Sequence, residues 1–307
     1  MANRLPILIL AGSDQRRSTV PDGLEHEDML HGYKGAIPLR SGRPLVQELV
    51  DRIVRSDYFQ APILVGPERV YADIVDCDIV DAEGNLANTL QRTVDTMRRR
   101  FGSGTPIAVA TCDILPTPDE LVQLIRDDYG PHRAAVFWGQ LIEARPDQMG
   151  ASAWKPSYGF RAASDQPPLN LYPGHLVIVR PQALRFELTI RLLQLVYAHR
   201  NQKLQKRVFG VLMRSLGILA AADLRNLRSC QMPVLTFTVP YSCLRAYGKY
   251  RRRRATIADF EAALATSFVH RRFRHQASNR PVIFSLTRMV SFAKDIDTKA
   301  ELDEAQA

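Results

Sequence analysis

The chain has 307 residues, 46% hydrophobic and 24% charged, a soluble globular composition long enough for one large core or two modest ones. No apolar run approaches the ~20 residues needed to span a bilayer, and the short apolar stretch of MANRLPILILAG does not make a signal peptide. The formal net charge of +9 is uneven: residues 185–275 hold 18 Lys and Arg against 4 Asp and Glu, a net of +14 that points to an anionic partner or to solvated helix faces.

Leu5, Ile7, Leu8, Ile9 and Leu10 predict a first strand at 5–10, apolar on both faces as in a parallel sheet. It runs into Ala11, Gly12 and Ser13, where glycine lets the backbone turn and approach a ligand. Arg16 and Arg17 follow as candidate phosphate contacts, although an ordinary surface loop has the same pattern. Amphipathic helices are predicted at 44–56, where Leu45, Leu49 and Ile53 recur every four residues, and at 86–97. Strands are predicted at 61–65, 105–111, 134–138 and 176–180, and 161–170 reads as a loop. Strands separated by helices of this length imply βαβ units. After Pro181 the pattern is helical over 185–228, with a strand at 233–239 (PVLTFTV) and a helix at 256–274 opened by Thr256 and Asp259. A strand at 280–286 and a helix starting near Thr298 close the chain. The expected fold is a Rossmann-like, mostly parallel α/β sheet flanked by helices, with residues 1–307 as one domain carrying a basic, mainly helical insertion at 185–275.

Cys77, Cys112, Cys230 and Cys243 form no CxxC pair and have no His at ligand spacing, which reads as buried free thiols in a cytoplasmic protein. The most informative stretch is ATCDILPTPDELVQLI, 110–125. Thr117, Pro118 and Glu120 are a helix start, which leaves Asp113 at the carboxyl end of a strand, where open α/β sheets bind ligands. A carboxylate there suits a hard divalent cation on phosphate oxygens, or simply caps the turn. A second acidic element, AKDIDTKAEL at 293–302, places Asp295 and Asp297 on one side of an extended stretch with Ile296 on the other, just before the helix of Thr298 and Glu301.

Taken in order, LILAGS, GYKGAIPLRSGRPLVQELVDRI, EGNLANTL, VATCDILPT and DIDTKAEL resemble the nucleotidyltransferases with a molybdenum-cofactor guanylyltransferase-like fold. The likeness covers residues 5–125 and returns at LYPGHLVIVRP and at the C-terminal motif. It implies that Leu10, Ala11, Gly12, Ser13 and Asn85 face a nucleotide, and that Lys34 and Arg16 or Arg17 contact phosphate. It also implies that Asp113 and Asp297, with Asp295 beside them, hold Mg²⁺. Lys155 and His175 are candidate acceptor contacts. The glycine-rich turn usual in that family is replaced here by SDQRR and the long excursion STVPDGLEHEDMLHGY. The implied reaction moves an NMP from an NTP to a sugar or alcohol phosphate. A glycosyltransferase with a nucleotide-sugar donor and an inactive nucleotide-binding module are the competing expectations. The arginines of GKYRRRRAT (248–256) and HRRFRH (270–275), with Tyr247, Tyr250 and Phe273 beside them, are read as a peripheral contact with anionic membrane rather than with nucleic acid.

Overall fold

The structure is a computed structural model and describes residues 4–12, 24–25, 27–83, 86–102, 104–198, 204–228, 232–274 and 280–306. In chain order the elements are β1 (Ile7–Leu10), α1 (Leu45–Ser56), β2 (Ile63–Gly66), α2 (Glu68–Tyr71), β3 (Asp78–Asp81), α3 (Leu86–Arg100), β4 (Ile107–Thr111) and α4 (Pro118–Gln123). Then come β5 (Phe137–Glu143), α5 (Pro146–Met149), β6 (Tyr158–Arg161), β7 (Pro168–Pro173) and β8 (Leu176–Val179). The last are α6 (Phe186–Ala198), α7 (Leu204–Arg228), α8 (Leu235–Arg251), α9 (Ile257–Phe268), β9 (Val282–Thr287) and α10 (Lys299–Ala305). They form two compact units: Met1–Tyr158, Asn170–Gln182 and Ile283–Ala307 in the first, Gly159–Leu169 and Ala183–Val282 in the second.

The first unit is the expected α/β sheet flanked by helices. Its strands lie in the order β3-β2-β1-β4-β8-β5-β7, and β9 also pairs with β5. β3, β2, β1 and β4 are mutually parallel, with Leu8 opposite both Ile63 and Val109. β8 runs antiparallel to both β4 and β5, so β5 points the same way as β4. Ile7, Leu8 and Ile9 of β1 are buried, as in a strand covered on both faces, and Leu10 at its carboxyl end is half-buried. On α1 the four-residue spacing buries Leu45, Leu49 and Ile53, and Leu49 and Ile53 join Val46 and Val50 in the core of that sheet. Trp138 and Phe292 fill the same core.

β3 was not expected: its four residues, DIVD, sit on the sheet edge with both aspartates exposed and offer no apolar alternation to read. The predicted strand at 134–138 begins at Phe137 instead, because Ala135 closes a turn on His132. Of the supposed loop 161–170, only 162–167 is the turn of the β6–β7 hairpin and 168–170 already belongs to β7; residues 159–169 fall in the second unit.

The second unit is otherwise helical. The predicted strand 233–239 is wrong: these residues open α8. Asp223 on α7 accepts the amides of Leu235 and Thr236 at 3.0 and 2.8 Å, a helix cap supplied from a distant residue. Leu235 and Val239, one turn apart, then pack on Leu188 and Leu219, a helical pairing that β-branched composition disguised. The helix predicted over 256–274 starts as expected, with a Thr256–Asp259 capping box, but ends at Phe268. Its terminal carbonyls are taken by two guanidiniums: Arg185 bonds Thr266 and Ser267, and Arg274 bonds Thr266 and Val269. Burial, with Arg274 beside it, pulls the Arg185 pKa down to about 10. Cys112 is buried as expected, but Cys77 is half-buried and Cys243 exposed, while Cys230 lies outside the described residues. No helix among the described residues is long and apolar enough to cross a membrane.

Candidate active site

The carboxyl end of β4 stops at Thr111, and the next two residues divide their tasks. Cys112 turns into the core and donates its amide to Leu10, while Asp113 emerges beside it. The amide of Ala11 bonds Val65, so the ends of β1, β2 and β4 are knitted together just below Gly12. A Cβ on Gly12 would lie 2.8 Å from Thr89 Oγ1, so only glycine lets this turn sit against α3. Gly35 is also tightly enclosed, by Tyr71, Val46 and Cys112, which holds the neighbouring Lys34 against Asp113.

The C-terminal acidic segment reaches the same place through two backbone links. Ile296 bonds the carbonyl of Asp113 at 2.8 Å, and the amide of Leu30 bonds that of Asp297 at 2.8 Å. Ile296 is buried, as alternation required, which sends Asp295 and Asp297 to the opposite side. One carboxylate oxygen from each of Asp113, Asp295 and Asp297 lies within 4.8 Å of the others.

Two lysines neutralise part of this charge. Lys34 is ion-paired with Asp297 and stands 3.5 Å from Asp113. Burial alone would lower its pKa, but Asp113 and Asp297 outweigh burial and raise it. Lys155, the candidate acceptor contact, is nearly buried beneath the carboxylates. It pairs with Asp295, with Glu301 at 3.0 Å and with Asp297 at 3.8 Å. Its pKa too is raised, by Asp295, Glu301 and Asp297 against the effect of burial. Burial holds the Asp295 carboxyl above its ordinary range, although His175 and Lys155 oppose this. Asp297 is half-buried, which alone would raise its pKa, yet Lys34 and Lys155 hold it below that range. His175 Nε2 is 3.4 Å from Asp295.

Glu301 is the participant that sequence reasoning read only as a helix cap. It does complete the Thr298 capping box, but it is buried and also accepts the Asp297 amide at 2.7 Å and the Ser152 hydroxyl at 2.7 Å. Its double use had no signal in the sequence, because Ser152 and Lys155 lie far away along the chain.

Among the described residues, four carboxylates (Asp113, Asp295, Asp297, Glu301) face two ammonium groups (Lys34, Lys155), leaving two formal negative charges. Asp113 Oδ1 is buried and has no hydrogen-bond partner. An all-oxygen donor set, a surplus of two charges and an orphaned carboxylate oxygen fit a hard divalent cation, whose ligand sphere is about 4–5 Å across. Of the other expected site residues, Leu10, Ala11 and Gly12 lie at the end of β1, while Ser13, Arg16, Arg17 and Asn85 fall outside the described residues.

No family model matches the chain, and no curated protein does. Solved structures are similar only loosely. One is 4-diphosphocytidyl-2C-methyl-D-erythritol synthase from Anaerococcus prevotii, 11% identical, covering 99% of this chain and 96% of that one with a TM-score of 0.45. Another is CMP:2-keto-3-deoxy-manno-octonic acid synthetase complexed with CTP, 11% identical over 70% of this chain and 85% of that one, TM-score 0.42. A third, described as mannose-1-phosphate geranyltransferase from Thermus thermophilus, is 12% identical over 94% of this chain and 77% of that one, TM-score 0.43.

Proposed function

We propose that the chain is a Mg²⁺-dependent nucleotidyltransferase that joins the NMP part of an NTP to a phosphorylated sugar or alcohol and releases pyrophosphate. The observation that carries this reading is the meeting of Asp113 with Asp295 and Asp297, beside Lys34, at the carboxyl end of a parallel strand.

The acceptor phosphate oxygen attacks the α-phosphorus, the bond from that phosphorus to the α–β bridging oxygen breaks, and pyrophosphate leaves with the electron pair. The nucleophile is already an anion, so no strong general base is needed. Asp113, Asp295 and Asp297 would hold Mg²⁺, which supplies charge neutralisation on the phosphate oxygens when bound. Lys34 exchanges its carboxylate partner for phosphate and stabilises charge as it develops. Lys155 stays below, keeping Asp295, Asp297 and Glu301 from repelling one another apart. In this reading Gly12 and Ala11 give the nucleotide a close approach to the backbone, and His175, 3.4 Å from Asp295, is assigned to the acceptor.

The test is a matrix of the four NTPs against phosphorylated sugars and polyols, read by pyrophosphate release. Magnesium-dependent release with at least one pair supports the reading. Release of a nucleoside diphosphate from a nucleotide sugar, with no pyrophosphate from any pair, replaces it with glycosyl transfer.

A further inference from the structure

The outward side of α8, in the second unit, is apolar where a surface helix is normally polar. Phe237, Tyr241 and Leu244 are 78%, 68% and 49% exposed. Their spacing of four and three residues puts them on one stripe, opposite the buried Leu235 and Val239. The stripe passes Gly248, where a Cβ would meet nothing within 4 Å, and reaches Arg251. Arg251, Arg252, Arg253 and Arg254 are all exposed, and none is ion-paired with a described residue. At the other end, where Asp223 holds the start of α8, Leu224, Leu227 and Met232 are also exposed.

We propose that this face of α8 docks on the surface of an anionic lipid bilayer, with Phe237, Tyr241 and Leu244 entering the headgroup boundary and Arg251–Arg254 meeting lipid phosphates. Charge complementarity selects this occupant. A surface that belongs to a segment of net +14 repels a second copy of itself. A nucleic acid could use the arginines and stack bases on Phe237 and Tyr241, but it would leave the aliphatic Leu244, Leu224, Leu227 and Met232 in water. A bilayer surface accepts both, which is the pattern of a helix lying in the interface plane. The structure also narrows the basic region involved. Tyr250 packs on Phe160 with ring centroids 5.5 Å apart, and Arg274 caps α9, so neither is free to meet lipid. The proposal is independent of the nucleotidyl-transfer reading.

Co-sedimentation of the full chain with phosphatidylcholine vesicles, with and without phosphatidylglycerol, tests it. The wild-type protein is expected to bind the anionic vesicles at least tenfold better, with binding falling as salt rises. Combined Phe237→Ser, Tyr241→Ser and Leu244→Ser should lower binding at least tenfold, as should Arg251→Ser through Arg254→Ser. A single Phe237→Trp variant, which leaves the exposed face otherwise intact, should be quenched by brominated acyl chains. The proposal is overturned if wild-type protein ignores anionic vesicles at low salt, if folded variants bind unchanged, or if Trp at 237 is not quenched in vesicle-bound protein. It is also overturned if sedimentation velocity shows a dimer that Phe237→Ser dissociates.

Discussion

The backbone N–H of Ile296 donates to the carbonyl oxygen of Asp113 at 2.8 Å. This bond sets the register of an extended stretch, so the residues on either side of Ile296 must present their carboxylates where Asp113 presents its own. Asp113→Asn keeps the backbone link while removing one charged ligand. Magnesium-dependent pyrophosphate release should fall at least about a hundredfold, with circular dichroism and thermal unfolding little changed. Full activity in this variant would remove Asp113 from the chemistry.

Lys34 should show opposite effects on metal and on turnover. It neutralises Asp113 and Asp297 in the absence of ligand, so Lys34→Met should tighten binding of Mg²⁺ alone, by about tenfold for one removed neighbouring charge. The same change should lower kcat if Lys34 contacts phosphate as proposed. Lys34→Arg should not restore kcat, since a planar fork cannot replace a compact ammonium in an enclosed site. Calorimetric titration with Mg²⁺ separates these effects; weaker binding in Lys34→Met would contradict the electrostatic account.

Lys155→Met leaves Asp295, Asp297 and Glu301 without their buried cation, and should cost about 3–5 kcal/mol in urea unfolding at neutral pH. The folded-state pKa of Lys155 is raised, so its contribution is complete below the ordinary value of about 10.4 and is lost only as pH rises through the raised one. At the acid end Asp297, held low, loses its contribution as pH falls from about 3.9 through its depressed value. The gap between wild type and variant should therefore close at both extremes, and on the acid side its closure should begin with Asp295, whose carboxyl burial holds above its ordinary range.

Gly12 and Thr89 should be energetically coupled. Gly12→Ala brings a methyl group to 2.8 Å from Thr89 Oγ1 and should weaken nucleotide binding by displacing the turn. Thr89→Ala removes the obstacle, so the double variant should recover by about 0.5–3 kcal/mol relative to additivity. Additive losses would show that the turn is set elsewhere.

Asp223 should be the acid-sensitive point of the helical unit. It is buried, which alone would raise its pKa, but bonds from Thr236 and Leu235 hold it low. Its stabilising effect is present above about pH 3.9 and is lost as pH falls through the depressed value. Asp223→Ala should cost about 1.5–3 kcal/mol at pH 7, and the difference from wild type should vanish in strong acid.

Strands β1, β2 and β4 and the capping boxes of Thr117, Thr256 and Thr298 were legible because each depends on residues close in sequence. Leu45, Leu49 and Ile53 announce α1, and Thr117 with Glu120 announces α4. The convergence of Asp113 with Asp297 came from resemblance, since no local pattern connects residues so far apart. α8 was misread because its start is capped by Asp223, a residue that precedes it by a full turn and a loop, while Val234, Thr236, Thr238 and Val239 look like strand composition. The ion pairs of Lys155 were illegible for a related reason: one lysine in WKPSY gives no sign that three carboxylates surround it.

The first unit is interrupted between Gln182 and Ile283, yet its two sides are joined by contacts that need no peptide bond across the gap. Trp138 Nε1 bonds Ser285 at 2.9 Å, β9 pairs with β5, and Lys155 holds Asp295. The length of the intervening chain therefore matters little to this unit, since doubling a closed loop costs only about 0.6 kcal/mol. A protease cut between 183 and 282 should leave two fragments that remain associated and keep all three aspartates together. The isolated fragment 1–182 would retain Asp113 alone. Reassembly of separately produced halves would then be readable as the return of the divalent-cation binding proposed for the three aspartates, which neither half holds together.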